Sequence, residues 1–288
     1  MFQELIAFFA SARGVDVFWS PLSVTVLGGV LLAIMLRGGS AEKERPKIGK
    51  GLTLTEVKEL IQSELDRHPN QQSAPANRPA STRPSGDDGF IWIFSIGLIF
   101  LSVGYARFQD QVLDYSVIAA TSLFGFWLAT VVFSLLKGTI SGRGWAIYTI
   151  AVCVLSLSAL PILYLSLNPI HSPDGITNLQ QVATESGFTG LLKTYGTEGI
   201  SFLLFQVMGF IVLYGSWLFI LLSLVYMASS TLVVSGVQGR SFWFWLSLRT
   251  YKFGTPIKGT VVVSILYIAS FVLISGLAYE WWRPASTL

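Results

Sequence analysis

Between Glu198 and Arg240 the chain carries no Asp, Glu, Lys, Arg or His. As a helix rising about 1.5 Å per residue, this run reaches roughly 60 Å, twice the ~30 Å hydrocarbon core of a bilayer. It places the chain in a membrane and leaves two options: one long helix that overshoots the bilayer, or two short spans folded as a hairpin. Arg240, Arg249, Lys252 and Lys258 follow with no acid among them, and such clusters stay cytoplasmic. A hairpin would put them outside. The run is therefore expected to hold one span, from about Ile200 to Met227, followed by a softer stretch through Ser229, Ser230, Thr231 and Gly236.

Composition agrees. A chain that is 52% hydrophobic and 12% charged, with a mean hydropathy of +0.61, falls far below the quarter or so of charged residues that a soluble surface needs. The formal charge of +3 and pI near 9.0 describe topology rather than nucleic-acid binding, because the cations collect at the ends of the apolar runs. The single cysteine, Cys153, excludes an internal disulfide framework and reads as a small packing residue. The first cation is Arg13, so no basic n-region of a cleavable signal peptide is expected.

Taken in order, the pattern predicts an all-α integral membrane protein of six transmembrane helices with both termini outside the cytoplasm. Residues 1–37 form an N-terminal segment and the first span. Phe2, Leu5, Ile6 and Phe9 suit either a helix on the bilayer surface or a frayed terminus, and Val17 to Leu36 cross inward, closed by Arg37, Lys43, Arg45, Lys47 and Lys50. Residues 38–89 are the main soluble region. There Thr53 and Glu56 make a capping box for an amphipathic helix with Leu54, Val57, Leu60, Ile61 and Leu65 on one stripe. Pro69 stops that helix, and Pro69 to Gly89 has the composition of a disordered tether.

Residues 90–288 supply five more spans. These are Phe90–Ala106, Tyr115–Leu136, Trp145–Leu167, the long fifth run, and Gly259–Tyr279. Arg107, Asp110 and Asp114 mark a small external loop, Pro161 is expected to bend the fourth span, and residues 168–199 form a larger external loop with room for one short helix. Residues 236–258 are an aromatic segment on the inner surface, anchored by Trp243 and Trp245 between Arg240 and Arg249. Trp281 and Trp282 anchor the far end of the last span. Of 19 Lys and Arg, this topology leaves Arg13, Arg107, Lys193 and Arg283 outside and the other 15 inside.

None of the six spans contains a charged residue or histidine, which argues against coupled transport, intramembrane proteolysis, haem and metal chemistry at membrane depth. Both histidines, His68 and His171, fall in soluble segments. Three local patterns carry no chemistry. Ser134 with Lys137 matches Ser-x-x-Lys at the inner end of a span, where lysine is a topology anchor. His171, Ser172 and Asp174 are merely adjacent, and Gly142-Arg143-Gly144 is a turn. No catalytic residue, cofactor or metal site is expected. Small residues such as Gly97, Gly104, Thr121, Gly125, Gly209 and Gly215 suit close helix packing, and Gln206 is the strongest polar group in any span.

Two functions follow. The first is a non-enzymatic anchor or subunit of an envelope, defence or secretion-related assembly in a bacterial inner membrane, meeting another protein or a second copy through the stripe at Leu54–Leu65. The second is an oligomeric passive channel lined by Ser, Thr and Gln, with Gln206, Ser156 and Ser158 as either pathway residues or polar contacts between helices. The stripe favours the first, because an isolated helix cannot bury its own apolar face.

Overall fold

The structure, a computed structural model, describes residues 11, 15–37, 56, 59, 63, 87–137, 143–173, 176–235, 240–254 and 256–283. Among them every regular element is helical. A π-turn at Val15–Trp19 leads into α1 (Ser20–Arg37), followed by α2 (Asp87–Arg107), α3 (Gln109–Lys137) and α4 (Arg143–Leu167). After a 3-10 turn at Ile176–Asn178 come α5 (Leu179–Ser235), α6 (Arg240–Thr250), a second 3-10 turn at Tyr251–Phe253, α7 (Pro256–Ile274) and α8 (Leu277–Trp282).

Among the described residues, Gln109–Leu135, Trp145–Leu167 and Leu179–Val233 are long and apolar enough to cross a membrane. Phe242–Phe253 with Lys258–Ile274, bent by 61°, would make a fourth span if counted together. The expected first and second spans are helical as α1 and α2. Of α2, however, Ile96–Arg107 counts as a shorter apolar helix. Exposed faces match the buried ones in polarity: Ile150 on α4 is 63% exposed and Ile268 on α7 is 64% exposed, as surfaces meant for lipid are.

Over its described residues, 199–235, the uncharged run is a single helix, so the hairpin is excluded there. Within α5 the backbone leaves helical geometry only at Gly187 and Gly196, both ahead of the run. The described part of the stretch expected to soften, up to Ser235, is regular helix, with Ser229, Ser230 and Thr231 fully buried. Burial explains the difference: Ser and Thr weaken an isolated helix, but here the Ser229 hydroxyl turns to the Tyr226 carbonyl and that of Thr231 to the Met227 carbonyl.

Helix α5 is the axis of the bundle. Helices α2, α3, α6 and α7 pack on it, and α1 packs on α3, where Thr25 fits against Gly125. Helix α3 runs parallel to it, since Ser116 meets Tyr214 at one level and Ser134 meets Thr231 at another. The chain from Arg240 onward runs back antiparallel: Tyr251 meets Tyr226 edge-on, Phe253 meets Phe219 edge-on, Ser270 bonds Gly209, and Phe202 packs on Tyr279. Helix α4 packs on α3 and α7 and reaches α5 chiefly through side chains.

Three expectations need correction. No loop separates the second and third spans: α2 and α3 join through Phe108 alone, with Arg107 ending one helix and Asp110 and Asp114 in the first turns of the other. The sequence signal was the charge cluster, but charges at helix ends do not require a loop. The external loop expected over residues 168–199, with room for one short helix, is helical from Leu179 onward except at Gly187 and Gly196, whose backbone interrupts the helix and turns the chain. The last span is broken at Ser275 and Gly276, between α7 and α8. Pro161 lies inside α4, which continues helical to Leu167.

Candidate polar cleft

A cleft of about 850 Å³ opens where α4 and α5 stand apart, at the end of the bundle opposite Lys137 and Arg143. Four pieces of chain build it. Gln109 comes from the start of α3, Ser166 to Pro169 from the end of α4, Ile176 to Glu185 from the 3-10 turn and first turns of α5, and Phe202 and Gln206 from deeper in α5. The first turns of α5 and Gln206, more than twenty residues further along the same helix, line one space because the helix folds at Gly187 (φ 59°, ψ −150°) and Gly196 (φ 65°, ψ −163°). That backbone region is essentially restricted to glycine. The segment so folded is a cap held to the bundle by Leu179, Ala183 and Leu191, all buried.

Gln206 forms the floor. It is 2% exposed, and its Nε2 donates to the carbonyl of Ser166 at 3.2 Å, joining α5 to α4. Its Oε1 accepts no hydrogen bond from the described residues. Just beneath, the buried Tyr105 phenol lies beside the Ser166 hydroxyl and the Gln109 carboxamide without a partner at bonding geometry. Beyond the floor, Phe210, Leu213, Trp217, Ile220 and Leu224 are packed into the core, so the polar lining stops at Gln206.

The lining has a definite chemistry. Gln109, Asn168, Asn178, Gln180, Gln181 and Gln206 present six carboxamides, and Ser166, Ser172 and Thr184 add hydroxyls. Glu185, bonded at the rim by Gln181 at 2.9 Å, is the one ionisable group among the described lining residues. Among the described residues no three His, Cys, Asp or Glu side chains come together as a metal site.

Other sequence-derived positions fall elsewhere. Ser156 is buried on α4 with an unpartnered hydroxyl, and Ser158 bonds back to Leu155. Ser158 lies eight residues, about 12 Å of helix, from the Ser166 that meets Gln206. On α6, Trp245 is half-exposed, stacks on Phe242 and receives the Arg249 guanidinium 5.7 Å from its ring centre, while Trp243 packs edge-on against Phe242. Arg240 opens that helix. Trp281 and Trp282 are exposed on α8. Leu54, Val57, Leu60, Ile61 and Leu65 lie outside the described residues; Glu56, Glu59 and Ser63, the described positions of that segment, are helical and exposed.

No protein-family model matches the chain, and no curated protein or solved structure is detectably similar to it.

Proposed function

We propose that this is a non-enzymatic, multi-pass protein of a bacterial inner membrane, with six spans and both termini outside the cytoplasm. It serves as an anchor or subunit of an envelope, defence or secretion-related assembly and engages its partner, another protein or a second copy, through the amphipathic helix of residues 53–68. One observation carries the choice over a channel: the bundle uses its polar groups to hold its helices together. Ser116 bonds Tyr214 at 2.6 Å, Trp217 Nε1 donates to the Tyr267 hydroxyl at 2.9 Å, and Ser270 donates to the Gly209 carbonyl at 3.0 Å. Tyr148 donates to Ser223, which donates on to the Phe253 carbonyl. In lipid, such bonds contribute about 0.6 kcal/mol each and fix helix register, as a rigid platform requires. A pore needs a continuous wet face, and the polar lining here stops at Gln206.

The Trp245–Arg249 pair supports placing α6 at the inner headgroup layer. The exposure of Glu56, Glu59 and Ser63 agrees with a helix whose other face is apolar. The combined change Val57→Ser, Ile61→Ser and Leu65→Ser removes the stripe and keeps charge and length. A photo-crosslinking side chain at position 61 is expected to trap one defined species, which the variant carrying Ser at 57 and 65 loses while inserting normally. Purified wild-type protein is expected to leave planar bilayers non-conducting; conductance abolished by Gln206→Leu and untouched by the stripe changes would establish the channel instead.

A further inference from the structure

We infer that the cleft between α4 and α5 binds an uncharged, polyhydroxylated group: a saccharide, either free or as the headgroup of a glycolipid. The inference stands apart from the identity of any protein partner.

The chemistry of the lining selects the ligand class. A carboxamide offers a donor and an acceptor side by side, and a sugar hydroxyl offers both in turn, so a cleft with six carboxamides and three hydroxyls matches adjacent hydroxyls on a ring. With neither Lys nor Arg among the described lining residues, phosphate or carboxylate ligands lack a counter-charge. A cationic ligand would meet only Glu185, which Gln181 already engages at the rim. Leu167, Pro169 and Ile176 provide the apolar surface that the C–H faces of a sugar ring require. The volume of about 850 Å³ lies within the roughly 300–1,000 Å³ of small-molecule sites.

The floor is built for a ligand rather than left over from packing. Gln206 is held in orientation by its bond to the Ser166 carbonyl, which leaves its Oε1 as an acceptor on the cleft side. Beneath it the buried Tyr105 phenol lies beside the Ser166 hydroxyl and the Gln109 carboxamide, so polar groups continue one layer below the lining.

The test uses the full chain purified in a detergent without a sugar headgroup, since maltoside detergents would occupy the site. One arm measures equilibrium binding of tritiated maltose; the other measures retention of a tritiated diglucosyl diacylglycerol through size exclusion. Saturable binding is expected in at least one arm, and which arm responds separates free saccharide from lipid headgroup. Inorganic phosphate and phosphatidylglycerol should not compete. Gln206→Leu is expected to weaken binding at least about tenfold, the loss of an anchored hydrogen-bonding group. Because that change also removes the bond to Ser166, Asn178→Ala at the exposed rim provides a second variant that leaves the bundle intact, with an expected loss between about two- and tenfold. Absence of saturable binding in both arms, affinity unchanged in both variants, or displacement of the sugar by phosphate or phosphatidylglycerol would overturn the inference.

Discussion

At Gly276 the backbone is left-handed (φ 85°), and a Cβ there would stand 1.9 Å from the His171 carbonyl oxygen. The amides of Ile170 and His171 both donate to the neighbouring Ser275 carbonyl, at 2.9 and 3.2 Å, so the loop after α4 is clipped to the break between α7 and α8. Gly276→Ala incurs about 1–2 kcal/mol for conformation alone, before the clash displaces the loop. It is expected to lower the apparent unfolding temperature in detergent by several degrees, at about 2–4 °C per kcal/mol. Gly97→Ala, with nothing within 4 Å of the new methyl group, should leave that temperature unchanged or raise it slightly. An equal loss in both variants would remove the special role of Gly276. In the sequence, Ser275 and Gly276 are one small pair among many in the apolar runs. The pairing with His171, over a hundred residues away, is what makes glycine obligatory.

The element with the most consequence is the cap, the first part of α5 up to Gly196. Gly187→Ala places a side chain in a region that costs about 1–3 kcal/mol, so the helix gains by straightening there and lifting Leu179 and Ala183 from the bundle. Hydrogen exchange of the amides at 179–186 should then speed up, with those at 210–220 unchanged. Protection equal to wild type across 179–186 would contradict the capping geometry. This element was only partly legible in the sequence. Glycines and polar residues over 168–199 suggested an external loop, because periodicity cannot tell a glycine that ends a helix from one that bends it. The single span without a hairpin was legible in the charge-free run, but the regular helix through Ser229 to Thr231 was not, since there the sequence suggested softening and the burial of these residues comes from the packed bundle. Helix α6 was the easiest of all: the aromatic cluster between Arg240 and Arg249 is local.

At the scale of the whole molecule, the sequence placed the apolar elements and singled out Gln206, but not the cleft above it. Gln109, Ser166, Asn178 and Gln206 converge from four separate stretches, and no single-element pattern brings them together. The one local hint was the run of carboxamides at Asn168, Asn178, Gln180 and Gln181 beside the fourth and fifth apolar segments. Everything proposed for the molecule, the cleft facing outward and the amphipathic helix facing inward, depends on the direction of α5 through the bilayer. Charge supports that direction, since Lys137, Arg143, Arg249, Lys252 and Lys258 all flank apolar helices at ends assigned to the cytoplasm. In a Cys153→Ala background, single cysteines replace Ser186, exposed on the cap, and Ser81, in the segment ahead of α2. Intact cells are then treated with a membrane-impermeant maleimide. The cysteine at 186 should label fully and the one at 81 only after permeabilisation; labelling at 81 with protection at 186 would invert the topology and contradict the proposed function.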